Sequence, residues 1–203
     1  GEGVTEVCFA GKITKTSLFS GRIWPDFDMI RLFASTRDRK DDTLLGSICH
    51  YLEEKGIHVI DSTLFLEDCM PPQGLLTKRS LSSKEQEDVA FGWEIAKEMG
   101  RLDIGQSVIV KDKAVMAVEA IEGTDEAIKR GAFLGNGNVV VVKVAKPSQD
   151  MRFDVPTIGV GTIQSMIDAR ARVLAFEAGK TICIDLGKMQ ELANRHHITI
   201  VAV

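Results

Sequence analysis

The sequence predicts an α/β protein in three parts: an N-terminal part whose helix-then-strand order suggests a piece of a parallel layered sheet, a helical linker, and a C-terminal α/β domain with a mixed sheet. Three observations carry that prediction. From residue 41 onward, short β-branched apolar runs alternate with segments whose apolar residues recur at helical spacing. The run from Val139 to Val142 reads as a fully buried strand, which a sheet covered on both faces requires. Pro71, Pro72 and Gly74 interrupt the pattern and place a connector between two structured halves.

With 203 residues, 44% of them hydrophobic, the chain can fill one large core or two small ones. Its net charge of −4, with no long block of one sign, argues against a nucleic-acid partner, which would call for a basic face. Cysteines 8, 49, 69 and 183 lack metal-ligand spacing and read as small core hydrophobes in a reduced, cytosolic protein. No apolar run approaches the roughly 20 residues that span a bilayer, so membrane contact is expected to be transient and peripheral. The first apolar run follows almost at once on Gly1, as if the chain were entered in mid-domain.

Residues 4–10 read as a strand. Residues 14–40 are irregular around Pro25, and Leu18, Phe19, Trp24 and Phe27 there form either local core or an apolar surface for acyl chains. Asp41, Asp42 and Thr43 open a helix that Gly56 ends, with a short strand at 58–60. Residues 61–80 form a connector, and Ser82 to Gly100 a second helix. Boundaries therefore fall at 1–61 for the first domain, 62–100 for linker and connecting helix, and 101–203 for the second. Within the last part, strands are expected at 107–110, 114–121, 138–144, 173–176, 181–184 and 198–203. Helices are expected at 124–131, 161–170 and 186–195.

Three constellations could carry chemistry. Lys143, Lys146, Gln149, Asp150, Arg152 and Asp154 follow a buried strand, where open α/β sheets place ligands. Lysine point charges and an arginine fork suit phosphate oxygens, and a carboxylate suits Mg²⁺ or an attacking water. A solvated salt-bridge loop would read the same way. Glu119, Glu122, Thr124 and Asp125 end one strand and open a helix, with Thr124 as the expected N-cap. That geometry receives anions, or serves plain capping. On a regular strand Glu119 and Glu122 face opposite ways, so they do not both line one site. Glu177, Gly179 and Lys180 form either a hairpin turn or a close backbone approach to a ligand. P-loop, Gly-x-Ser-x-Gly, His-Glu-x-x-His and Cys-x-x-Cys patterns are absent, so a serine or cysteine nucleophile has no support.

Longer stretches are more specific. The segments AVMAVEAIEGTDEAIKRGA (114–132), VVVKVAKPSQDMRFDVPTIGVGTI (140–163) and VLAFEAGKTICID (173–185) closely resemble the I-type UDP-2,3-diacylglucosamine pyrophosphatases of lipid A biosynthesis. Residues 71–112 fit as well. The resemblance implies a bacterial, Mg²⁺-dependent hydrolase of the cytoplasm, peripheral on the inner membrane. It would split a lipid-linked sugar nucleotide into UMP and 2,3-diacylglucosamine 1-phosphate (lipid X), with the lipid held between domains. It maps the catalytic aspartate onto Asp150, with Asp154 second. Lys143, Lys146, Gln149, Arg152, Thr124, Glu177 and Gly179 become the expected substrate contacts, and Asp150, Glu122 and Asp125 the expected metal ligands. Two departures stand out: the glycine-rich first βαβ unit of that family has no counterpart here, and Ile23-Trp24-Pro25-Asp26 replaces a Leu-Arg-Pro-Asp run. The resemblance thus implies an incomplete nucleotide-fold N-terminal domain, which the missing segment or a second copy of the chain would complete. The alternative is a non-catalytic sugar-nucleotide or lipid-phosphate binding protein on the same scaffold.

Overall fold

The structure, a computed structural model, describes residues 3–11 and 41–203. The apolar cluster expected around Leu18, Phe19, Trp24 and Phe27 lies outside these residues. The chain forms two compact units, residues 1–65 with Asp150–Asp154, and Leu66–Gln149 with Val155–Val203.

In the first unit, β1 (Glu6–Val7) and β2 (His58–Val59) run parallel and are joined through helix α1 (Asp41–Glu54). Gly56, at φ 78°, ends this helix. The Ile57 N–H reaches back to the Leu52 carbonyl at 3.0 Å, the bond that closes a left-handed helix terminus. Cys49, Val59 and Phe153 form the small core, with Val7, Phe9, Leu45 and Leu52 against it. Ser62 donates to the Met151 carbonyl through its N–H at 3.0 Å and its hydroxyl at 2.8 Å. The loop residues expected in the second domain thus fold with the first.

The second unit is built on a six-stranded sheet. Its strands are β3 (Gly74–Leu75), β4 (Ser107–Lys111), β5 (Ala114–Val118), β6 (Val140–Lys143), β8 (Val173–Phe176) and β10 (Thr199–Ala202), in the order β3-β10-β8-β6-β4-β5. Strands β6, β8 and β10 are parallel, while β3 and β4 run against their neighbours. Because β5 is antiparallel to β4, and β4 to β6, β5 ends at the same sheet edge as β6 and β8. A separate parallel pair joins β7 (Thr157–Gly159) and β9 (Ile182–Ile184). The connector prediction missed β3, whose two residues carry too little pattern to stand out.

Alternation along the strands divides the core. Ile109, Val141, Leu174, Phe176 and Ile200 face helices α3 (Thr124–Leu134), α4 (Val160–Asp168) and α5 (Leu186–Arg195). Val108, Val110, Val140, Val142, Val173 and Ala175 face α2 (Ser83–Arg101). Helix α2, assigned to a linker from the sequence, is therefore one layer of the second unit. It begins at Ser82 with a capping box closed by Glu85, and Gly92 lets it sit tight on the sheet, since a Cβ there would lie 2.8 Å from Val142 Cγ2. Asp112 and Lys113 turn the β4–β5 hairpin with φ near 50° and 55°, a left-handed pair that matches strand twist. Neither is glycine. The buried Asp88 carboxylate offsets the strain by accepting from both turn N–H groups, at 3.0 and 2.6 Å.

Candidate functional site

At the carboxyl edge of the sheet, the strands deliver polar groups onto both faces. Lys143 ends β6 on the three-helix side and is only 4% exposed. Its ammonium donates to the Thr124 hydroxyl at 2.7 Å, and that hydroxyl donates to Glu119 Oε1 at 2.8 Å. Glu119 Oε2 is buried without a hydrogen-bond partner among the described residues and stands 4.0 Å from the Lys143 ammonium. Thr124 is not the N-cap. It is the first residue of α3, behind Gly123 at φ 85° and ψ 168°, and makes no side-chain bond to its own helix. Strand β5 stops at Val118, so Glu119 and Glu122 lie in a loop, where strand alternation no longer assigns their faces. A regular strand would keep Glu119 and Glu122 from lining one site, and it is Glu119 that shares a cluster with Thr124 and Lys143.

Glu177 follows β8 on the α2 side, where the strand's alternation sends it. Its Oε2 accepts from Lys97 at 2.5 Å and from the Ala145 N–H at 2.8 Å, while Oε1 meets Lys180 at 3.0 Å. The segment is not a hairpin turn, because β9 pairs with β7 rather than β8. Gly179 is exposed at φ 63°, with no heavy atom near a would-be Cβ. Lys97, absent from the sequence-based site, is the main partner of Glu177.

Burial alone would raise the Glu177 pKa. Hydrogen bonds from Lys97, Lys180 and Ala145, with the Lys97 charge, outweigh it and hold the carboxyl below its ordinary 4.5. A depressed folded-state pKa gives stability that is present above the unfolded value and lost as pH falls through the folded one. Glu177→Gln is therefore expected to destabilise by about 2 kcal/mol at neutral pH, the cost of losing charge-assisted bonds to the half-buried Lys97. The gap from wild type should close below pH 4.5. Urea denaturation at pH 7 and pH 3 checks this, and an equal gap at both would refute it.

Lys146 pairs with Asp103 Oδ1 at 2.8 Å, and Gln149 follows with its N–H on the Lys146 carbonyl. Glu122 is exposed, accepts from the Ala120 N–H at 3.1 Å and is ion-paired to Arg130. Asp125 is exposed in the first turn of α3, where the helix dipole favours an acid.

In the first unit, Arg152 grips Asp150 through Nε at 3.0 Å to Oδ1 and Nη2 at 2.8 Å to Oδ2. The Arg152 N–H adds a bond to Oδ1 at 3.0 Å, and Nη1 meets Glu53 at 2.9 Å. The guanidinium holds the Asp150 carboxyl below its usual range against the opposing effect of burial. Asp154 is exposed in a left-handed conformation at φ 55°. Cys49 packs beside this group, and burial pushes its thiol up. The cysteines are not uniformly core: Cys49 and Cys183 are buried, Cys69 is half-buried and Cys8 exposed.

These donors do not suit Mg²⁺ as they stand. Among the described residues no group of three or more His, Cys, Asp or Glu side chains converges. Asp150 and Glu122 are held by Arg152 and Arg130. The orphaned Glu119 oxygen lies against an ammonium, which repels a divalent cation. These carboxylates do not form a metal shell in the geometry seen.

Comparison with known proteins sets these residues in a family. A family model described as the LpxI C-terminal domain matches residues 72–201, and one described as the LpxI N-terminal domain matches residues 1–69. The chain belongs to the LpxI family. It is 34% identical over 195 residues to the UDP-2,3-diacylglucosamine pyrophosphatase LpxI of Caulobacter vibrioides, across 91% of this chain and 69% of that protein. Both halves of this LpxI-family chain are thus covered, including the edge that carries Glu119, Thr124, Lys143 and Glu177. Among the described residues no helix is long and apolar enough to cross a membrane.

Proposed function

We propose that this chain hydrolyses the pyrophosphate bond of UDP-2,3-diacylglucosamine, releasing UMP and 2,3-diacylglucosamine 1-phosphate for lipid A biosynthesis. The observation that carries the reading is a buried, fixed ammonium, Lys143, at the carboxyl edge beside the N-terminus of α3, in a chain of the LpxI family. An ammonium held in place by Thr124 costs little reorganisation when negative charge grows on a phosphoryl oxygen. The first N–H groups of α3 add a second attraction for the same oxygens.

Asp150 is the proposed catalytic carboxylate, with Asp154 as second choice. Lys146, Gln149, Arg152 and Gly179 are proposed to contact the substrate, and Glu177 to hold Lys97 and the Ala145 N–H at the edge. Mg²⁺ is proposed as a requirement, and it characteristically takes few protein carboxylates alongside phosphate oxygens. Asp125 has an exposed carboxylate for that purpose, whereas Asp150 and Glu122 would first have to leave their arginines. The acylated substrate calls for a peripheral encounter with the inner membrane from the cytoplasm.

The test is UMP release from UDP-2,3-diacylglucosamine in detergent, with Mg²⁺ and with EDTA, run in ¹⁸O-labelled water. The proposal expects UMP only with the metal, and ¹⁸O in the sugar 1-phosphate. Binding without UMP release would favour the sugar-nucleotide binding protein instead.

A further inference from the structure

We infer that Glu119 is a positioning residue that sets the Lys143 ammonium for the reaction, an inference that rests on the hydrolase reading above. Glu119 is 9% exposed and follows the last residue of β5. Its backbone is held from two sides. The N–H donates to the Ser107 carbonyl at 2.8 Å, and its own carbonyl lies where a Cβ on Gly105 would be, only 2.1 Å from that position.

The hydrogen-bond chemistry has one consistent direction. A lysine ammonium can only donate, so the Thr124 oxygen accepts from it. Thr124 has a single O–H, and that proton goes to Glu119 Oε1. The chain therefore runs from Lys143 through Thr124 to Glu119 and ends on a carboxylate. The second oxygen, Oε2, makes no hydrogen bond among the described residues and attracts the ammonium through space at 4.0 Å. Ser107 lies opposite Lys143 in the β4–β6 register, and its buried hydroxyl also lacks a hydrogen-bond partner among the described residues. An ammonium as buried as Lys143 would be costly without a counter-charge. Glu119 supplies that charge, while the Thr124 bond occupies only one of the three donors of the ammonium. Glu119 itself would repel a phosphate, so it acts through Lys143 and Thr124.

A double-mutant cycle tests the assignment. Glu119→Gln keeps the side-chain volume and is expected to lower kcat about 30-fold with KM within twofold, because the pull is felt most as charge develops. In a Lys143→Met background, the same Glu119→Gln change is expected to cost less than twofold, since the two groups act as a unit. Thr124→Ser should restore most of the activity that Thr124→Val loses. A merely structural Glu119 would lower Tm and add its effect undiminished to Lys143→Met, and that result would overturn the inference. So would Glu119→Gln with wild-type kcat. If the wild-type chain releases no UMP, the hydrolase reading fails on its own. The cycle is then read from calorimetric binding of inorganic pyrophosphate, where loss from Glu119→Gln only when Lys143 is present supports the inference. Absence of pyrophosphate binding by wild type would overturn it.

Discussion

Asp150→Ala is expected to lower kcat for UMP release by about 10³-fold or more, a loss of roughly 4 kcal/mol of transition-state stabilisation. The carboxylate is ionised throughout the neutral range, and Arg152 holds its pKa below the ordinary 3.8. It is half-buried, on a loop whose backbone is pinned to Ser62 through Met151 and whose Phe153 is anchored in the core of the first unit. Such a loop holds its shape when one carboxylate is trimmed. Arg152 keeps Glu53 as a partner at 2.9 Å, so the guanidinium is not left without a counter-charge. Tm should therefore move by only a few degrees, roughly what about 1 kcal/mol produces in a domain of this size. Asp150→Asn separates charge from shape, because it keeps the planar head group and loses the full negative charge that Arg152 grips. If Asp150→Ala retained kcat within about tenfold of wild type, Asp150 would be a brace for Arg152 rather than part of the chemistry.

Gly105→Ala is expected to damage both stability and turnover. A Cβ at residue 105 would lie 2.1 Å from the Glu119 carbonyl oxygen and 2.9 Å from its carbon. Both obstacles are backbone, so no rotamer change relieves them, and the segment that ends β5 must move. Overpacking of this kind costs about 3 kcal/mol, which at ~2–4 °C per kcal/mol lowers Tm by about 6–12 °C. The displacement carries Glu119 away from Thr124, and Thr124 from Lys143, so kcat should fall about 100-fold among molecules that remain folded. Thermal denaturation and steady-state rates on the same preparation separate the two effects. An alanine variant with unchanged Tm and unchanged kcat would refute the close approach on which the Glu119 assignment depends.

The two substitutions lie at opposite ends of what can be read from residue order. Asp150 stands out in the sequence, inside a run of charges after a buried strand. Gly105 does not, and Glu119 shows there only as one of several residues at a strand-to-helix junction. Nothing local marks Gly105 as the residue against which a strand end rests. Glu119 was weighed against Glu122 on the assumption of a regular strand to residue 121, whereas β5 ends at Val118. Once the strand stops, alternation no longer assigns faces, and the pair had to be judged by contacts instead. Thr124 misled for a related reason. Its type and its place before two acids signal an N-cap, but Gly123 takes the cap position and frees the hydroxyl for Glu119 and Lys143.

By itself the sequence determined what short-range chemistry determines. The α/β rhythm, the limits of α5 and β8, the capped start of α2 and the buried character of β6 follow from periodicity, capping and β-branched runs. The long specific segments also carried the family. Tertiary structure alone decided the partners. It assigned α2 to a sheet face, residues 150–154 to the first unit, Lys97 to Glu177, and Arg152 and Arg130 to acids expected to bind metal. Hydrogen bonds and ion pairs are set by distances in space between residues as far apart in the chain as 97 and 177, and spacing along the chain does not encode those distances.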